Sequence, residues 1–181
     1  MFYANLKGHI EAILFVNGDP VSTSRLADVL NIDKVNVEDL VAELKEDMDA
    51  KDRGLTIIKV AGGYQLCTKP ELAPTLEKMA QVMENKLSVP ALETLSIVAF
   101  KQPITKQEIE NIRGVRVDRV LTRLLERNLI KEVGRKDVIG RPILYGTTEE
   151  FLKCFGLDSI EELPALPDVV EDIVVAESKN T

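Results

Sequence analysis

The chain has 181 residues, with 45% apolar and only 4% aromatic side chains and no Trp, so any core must be built from Leu, Ile and Val. That length suits one medium domain or two small ones, and the composition is globular rather than disordered. The net charge of −7 is unevenly spread: residues 1–85 hold 9 basic and 14 acidic side chains, 86–156 hold 13 and 9, and 157–181 hold 1 and 7. A basic middle is therefore flanked by acidic segments. Cys67 and Cys154 stand far apart, outside any C-x-x-C spacing, which argues against a disulfide framework or a zinc site and for a reducing cytoplasm. The first residues, MFYANLKGHIEAILFV, lack the basic region and cleavage site of a signal peptide, and the apolar runs are too short to span a bilayer.

Leu6, Ile10, Ile13 and Leu14 recur at helical spacing until Asn17-Gly18-Asp19-Pro20 stops the pattern. A short helix fits Thr23 to Leu30. A longer one follows, with Val37, Leu40, Val41, Leu44 and Met48 on one face. LTIIKV and YQLCT, separated by Ala61-Gly62-Gly63, read as two strands and a tight turn.

The same order returns after a linker at 85–88. Ser88 caps a helix with Pro90 in its first turn that runs to about Phe100. Thr105 and Glu108 have capping-box spacing for a second helix that buries Ile109 and Ile112 and stops at Gly114. The third carries Val117, Val120, Leu121, Leu124 and Leu125. VNVEDLVAEL (35–44) and VRVDRVLTRL (115–124) match at every apolar position except Ala42 against Thr122, which marks an internal repeat. The fold expected is mainly helical α+β: two tandem winged-helix (helix-turn-helix) domains, each of three helices plus a β-hairpin wing. Their expected bounds are 1–84 and 89–166, with an acidic flexible tail over 167–181.

In GRKDVIGRPILYGTT (134–148), three glycines fall six residues apart among Arg135, Lys136 and Arg141. A phosphate-binding P-loop needs four residues between its glycines, then Lys and a hydroxyl residue. Here five intervene, Arg141-Pro142 follows, and Pro142 removes a backbone donor. The stretch reads instead as a wing, with LIKEV (129–133) and PILYGT (142–147) as strands. EEFLKCFGL (149–157) and SIEELPAL (159–166) are short amphipathic segments able to pack back on this domain.

No catalytic centre, metal site or cofactor site assembles from these residues. His9 is the sole histidine and falls on the polar side of its helix; Cys67 and Cys154 fit core or boundary positions. Binding is better supported. Arg119, Arg123 and Arg127 recur at i, i+4 and i+8 on the helix a winged helix offers to DNA, with Arg116 at its start. Like charges so spaced cost roughly 0.2–0.5 kcal/mol per pair, which an anionic partner would offset. A solvated face with apolar Arg stems remains an equal reading. The matching helix of the first domain is acidic, with Glu38, Asp39, Glu43, Glu46 and Asp47, and would repel a phosphate backbone.

ALETLSIVAFKQPITKQEIENIRGV (91–115), VLTRLLERNLIKEVGRKDVIGRPILYGTTEEFLKCFGL (120–157) and SIEELPAL resemble the bacterial segregation and condensation protein B family; IEAILFVNGDPVS and AGGYQLCT resemble it more loosely. The resemblance covers about residues 8 to 166. It implies a non-enzymatic, cytoplasmic and nucleoid-associated subunit of the SMC condensin complex, acting in chromosome condensation and partition during cell division. It further implies a homodimer paired through the first domain. The second domain would bind the kleisin, segregation and condensation protein A, which connects to the SMC ATPase. DNA would be met only within the complex, and no membrane.

Carried onto this chain, the kleisin-binding candidates are Arg119, Arg123, Arg135, Lys136, Asp137, Arg141, Pro142 and Tyr145. The glycines and Pro142 of the wing fit turn geometry alone equally well. For the dimer surface the candidates are Leu6, Ile10, Phe15 and Tyr64, each of which also fits the domain's own core. The alternative function is a winged-helix DNA-binding transcriptional regulator, reading DNA through Arg116, Arg119, Arg123 and Arg127.

Overall fold

The computed structural model describes residues 6–50, 52–79 and 87–165. Its first half runs α1 (Leu6–Asn17), α2 (Thr23–Leu30), α3 (Lys34–Asp49), β1 (Leu55–Val60) and β2 (Gly63–Thr68), then a 3-10 turn (Pro70–Leu72) and α4 (Ala73–Met79). The second half runs α5 (Val89–Lys101), β3 (Ile104–Thr105), α6 (Lys106–Arg113), α7 (Asp118–Glu126), β4 (Ile130–Arg135), β5 (Ile143–Thr147) and α8 (Glu149–Phe155), closing with a 3-10 turn at Ile160–Glu162. Three helices followed by an antiparallel hairpin occur twice, which is the winged-helix order. The turn at Pro70, α4 and β3 carried no signal in the apolar spacing. The expected tail and part of the expected linker lie outside the described residues.

Burial repeats along with sequence. Val37, Val41 and Leu44 on α3, and Val117, Leu121 and Leu124 at and within α7, take the same buried places in two separate cores. One core gathers Ile10, Leu14, Leu26, Met48 and Ile57; the other gathers Leu95, Val98, Ile109, Ile130 and Phe151. Val35 and Val115 stay exposed. Ile112, expected inside, is 55% exposed, because the face of α6 that carries Ile109 is the one turned to the core.

Local chemistry sets the helix ends. Ser22 Oγ accepts the Arg25 N–H to open α2. Thr105 and Glu108 close the expected capping box on α6, which ends at Gly114 in the left-handed conformation. Arg113, almost buried, joins α5 to α6: its guanidinium donates to Pro90 C=O at 3.1 Å, to Thr94 Oγ1 at 2.8 Å and to Glu93 at 2.6 Å. A guanidinium so little exposed is tolerated because three of its N–H groups are engaged.

Each hairpin takes on a third strand from the residues ahead of the second helix. Ile104 and Thr105 pair with Tyr145 and Leu144, so the sheet order is β3-β5-β4. In the first half the counterpart is the single residue Val21, exchanging both backbone hydrogen bonds with Tyr64 at 2.9 Å. The β1–β2 turn is two residues long, Ala61 and Gly62, both at positive φ as a type I′ hairpin requires. Gly63, expected in that turn, instead begins β2 opposite Val60. Its place is fixed by crowding: a Cβ there would lie 2.8–3.0 Å from the Val21 backbone.

Gly63→Ala should therefore force Val21 off the hairpin and lower the stability of the first half by about 1–3 kcal/mol, read from its denaturant midpoint. An unchanged midpoint would show that the approach is not tight.

Candidate functional site: the basic wing and its surroundings

The wing is a stiff projection. Between its strands the chain turns on itself: Lys136 N–H donates to Pro142 C=O, and Arg141 N–H to Val138 C=O, each at 2.9 Å. Gly140 and Arg141 both take positive φ. The register shift between Glu132 and Gly134 leaves Val133 as an extra residue on β4, which bends the hairpin. Gly146 sits at the bend's inner side, where a Cβ would lie 2.9 Å from both Gln102 Oε1 and Val133 Cγ1. Gln102 then ties the wing to the end of α5: its Oε1 accepts Thr147 N–H at 2.7 Å while its Nε2 donates to Ala99 C=O at 3.2 Å.

Two charged contacts shape the loop. Arg135 Nη1 donates to Arg141 C=O at 3.1 Å. Lys136 Nζ meets Glu108 Oε1 at 2.5 Å, so the capping-box carboxylate of α6 also anchors the wing. Lys136, followed by the Thr105 N–H and hydroxyl, pulls the Glu108 carboxyl down to about 2. The turn raises Val138 and a fully exposed Ile139 at its tip, between Arg135 and Arg141.

Arg119, Arg123, Arg135, Lys136, Asp137 and Arg141 are all exposed, and Pro142 is half-buried. Tyr145 is different: at 8% exposed its ring belongs to the core, and burial pushes its phenol up, so it supports the wing rather than meeting a partner. The arginine stripe is shorter than its spacing suggested. Arg119 and Arg123 lie within α7, whereas Arg116 precedes the helix and Arg127 is its C-cap. Lys106 pairs with Asp118 at the start of α7, which holds that carboxyl below its usual range.

A groove of about 600 Å³ opens on the same half of the chain, lined by Leu87, Leu92, Leu129, Cys154 and Phe155, with Arg127 and Glu150 beside them. Sequence reading missed it. Its one available signal was Phe155, the last residue of α8, which follows the buried Phe151 by one helical turn, its ring centroid 4.7 Å away, yet stays half exposed.

In the first half, α3 shows Glu38, Asp39, Glu43, Glu46 and Asp47 to solvent, with Lys7 of α1 pairing Asp47 at 2.8 Å and Glu43 at 3.4 Å. Of the dimer candidates, Ile10 has no exposed surface and is a core residue beyond any partner's reach, because α1 turns that side onto α3. Leu6 and Tyr64 pack partly against that core, whereas Phe15 is 73% exposed and adjoins the exposed Val16.

His9 is exposed, and burial raises the pKa of both Cys67 and Cys154. Among the described residues no group of three His, Cys, Asp or Glu is placed to hold a metal, and no helix is long and apolar enough to cross a membrane.

Because Glu108 titrates lower in the folded chain, its pairing with Lys136 contributes stability that is complete above about pH 4.5 and lost as pH falls toward 2. Carbon-13 NMR titration should place the Glu108 midpoint near 2 in the native chain and nearer the ordinary value in Lys136→Met. A midpoint indifferent to that substitution would mean the wing is not anchored there.

The family model for segregation and condensation complex subunit ScpB matches residues 8–166. Segregation and condensation protein B of Moorella thermoacetica is 51% identical over 168 residues, covering 93% of this chain and 86% of the relative. The Symbiobacterium thermophilum protein of that name is 50% identical, over 91% of this chain and 75% of its own length. Among solved structures, ScpB from Mycobacterium tuberculosis is 34% identical with TM-score 0.40, covering 84% of this chain and 95% of that one. A dimer of an ScpB N-terminal domain complexed with ScpA peptide is 33% identical with TM-score 0.42, covering 43% and 98%. With a match that spans both winged helices and the whole basic wing, this chain belongs to the segregation and condensation complex subunit ScpB family.

Proposed function

We propose that this chain is a non-enzymatic subunit of a bacterial SMC condensin complex, working in the cytoplasm on the nucleoid in chromosome condensation and partition. It pairs with a second copy through the 1–84 domain, and its 89–166 domain binds the kleisin that leads to the SMC ATPase. Its family membership along residues 8–166 carries this reading. ATP hydrolysis then belongs to the SMC partner.

The surfaces support that division of labour. Phe15 and Val16 give α1 an apolar edge that a second copy can cover. The acidic face of α3 is unsuited to DNA, so the first winged helix is better used for protein contact. On the second, exposed cations at Arg135, Lys136 and Arg141 flank an apolar tip, and the Leu92–Phe155 groove gives an amphipathic helix somewhere to lie. A kleisin segment with acids beside its apolar residues fits both chemistries. Charge-assisted hydrogen bonds to its carboxylates would fix its register. Arg119 and Arg123 stand exposed on α7 and are the observation that favours DNA reading as the second possibility.

Titration of the purified chain with kleisin and with duplex DNA separates the two. Arg135→Glu combined with Arg141→Glu should weaken kleisin binding at least tenfold and leave the dimer intact by light scattering. Phe15→Glu should do the reverse, giving monomers that still bind. Tight binding of one DNA sequence at physiological salt, abolished by Arg119→Glu with Arg123→Glu, would contradict the kleisin-binding reading.

A further inference from the structure

The β1–β2 turn takes partners from near the other end of the described chain. Ala61 N–H donates to Leu157 C=O at 2.9 Å. Gly62 N–H is shared by two acceptors on Asp158, the backbone C=O at 3.1 Å and Oδ1 at 3.0 Å. The other carboxylate oxygen of Asp158 lies 2.8 Å from Nζ of Lys59, two residues before the turn. Nearby, Lys153 Nζ of α8 reaches Asp19 Oδ1 at 3.0 Å and Glu150 at 2.6 Å.

These contacts join the two winged helices without a shared core: among the described residues none belongs to both hydrophobic clusters, and Leu157 packs against the second. A polar crevice of about 340 Å³, lined by Asn17, Ser22, Arg25, Gly62 and Glu149, lies alongside. Two adjacent N–H groups in a positive-φ turn point outward together, so the acceptor loop must arrive in one register to satisfy both. Leu157 and Asp158 are held in that register. Thr148 and Gly156 cap α8 ahead of them, and Asp158 N–H donates to Glu162 at 2.7 Å behind. One partner of each pair is open to water, Lys59 at 58% and Asp19 at 72% exposed at the side chain against 21% for Asp158 and 26% for Lys153, so salt screens the pairs in part. Covalent connection makes the contact intramolecular, and modest interactions then suffice to close it.

We propose that Asp158, with Leu157, latches onto the Ala61–Gly62 turn as a charge-fastened joint that sets the orientation of the second winged helix relative to the first. The joint is a separable device, because both cores are complete without it. It stands whether or not the proposed dimer and kleisin contacts hold.

Amide residual dipolar couplings of the full-length chain at low salt test it. One alignment tensor should fit both winged helices in the native protein. In Asp158→Ala each should need its own tensor, differing at least twofold in magnitude, and the Ala61 and Gly62 amides should exchange at least tenfold faster. Lys59→Gln, which removes only the ion pair to Asp158 and leaves both cores and the acceptor loop's own residues unchanged, should split the tensors to a smaller degree and serves if Asp158→Ala disturbs the second core. A native chain that already needs two tensors, or variants that keep a single one, would overturn the joint.

Discussion

Both halves of this protein depend on one contact: the backbone just ahead of the second helix seats against the inner strand of the hairpin. In the first half Val21 meets Tyr64, and in the second Ile104 and Thr105 meet Tyr145 and Leu144. The seat needs a residue without a side chain next to the paired tyrosine. Gly63 and Gly146 fill that place, one pressed against the Val21 backbone and the other against Gln102 and Val133. With the strand seated, the helices cover one side of the hairpin and the turn is left to project. A winged helix is thus a way of holding a rigid turn clear of a small core.

What the two halves do with that turn differs. The first has a two-residue one, Ala61-Gly62, and its donors face the chain's own Leu157 and Asp158. The second has a longer loop bearing Lys136, Arg141 and an exposed Ile139, with Arg135 at the end of β4 beside it, anchored by Lys136 to the cap of α6 and by Gln102 to the end of α5. The third helices diverge in the same sense, with carboxylates along α3 and arginines along α7. Repetition kept the buried positions and left the wet ones to separate, because burial constrains a residue's shape while solvent tolerates either charge. One scaffold thereby offers an acidic and a basic face.

Much of this was legible from residue order. The 35–44 and 115–124 repeat, the Thr105–Glu108 capping box and the helix spacing named the fold, since each rests on interactions between near neighbours in sequence. Boundaries set by distant partners were not legible. Gly63 reads as part of a turn because the residue that crowds it, Val21, is distant in sequence, and β3 is only two residues long, too short for any alternation. Ile10 and Tyr145 could be named as apolar or aromatic but not placed inside or outside, because that depends on which way the helix or strand faces. The Leu92–Phe155 groove is hidden for the same reason, as its walls come from α5, the turn between α7 and β4, and α8. The exposed cations of the wing were identified directly, since a tight loop rich in Arg and Lys has nowhere to bury them.

On the proposed function, the wing of the second winged helix, rather than α7 on DNA, recognises the partner. Hydrogen–deuterium exchange of the chain with and without kleisin measures this most directly. The account predicts slowed exchange across the wing strands and the 136–142 turn on binding, with the amides of α3 unchanged and no footprint from duplex DNA at physiological salt. Kleisin that leaves the wing unprotected, or DNA that protects α7 by itself, would contradict it.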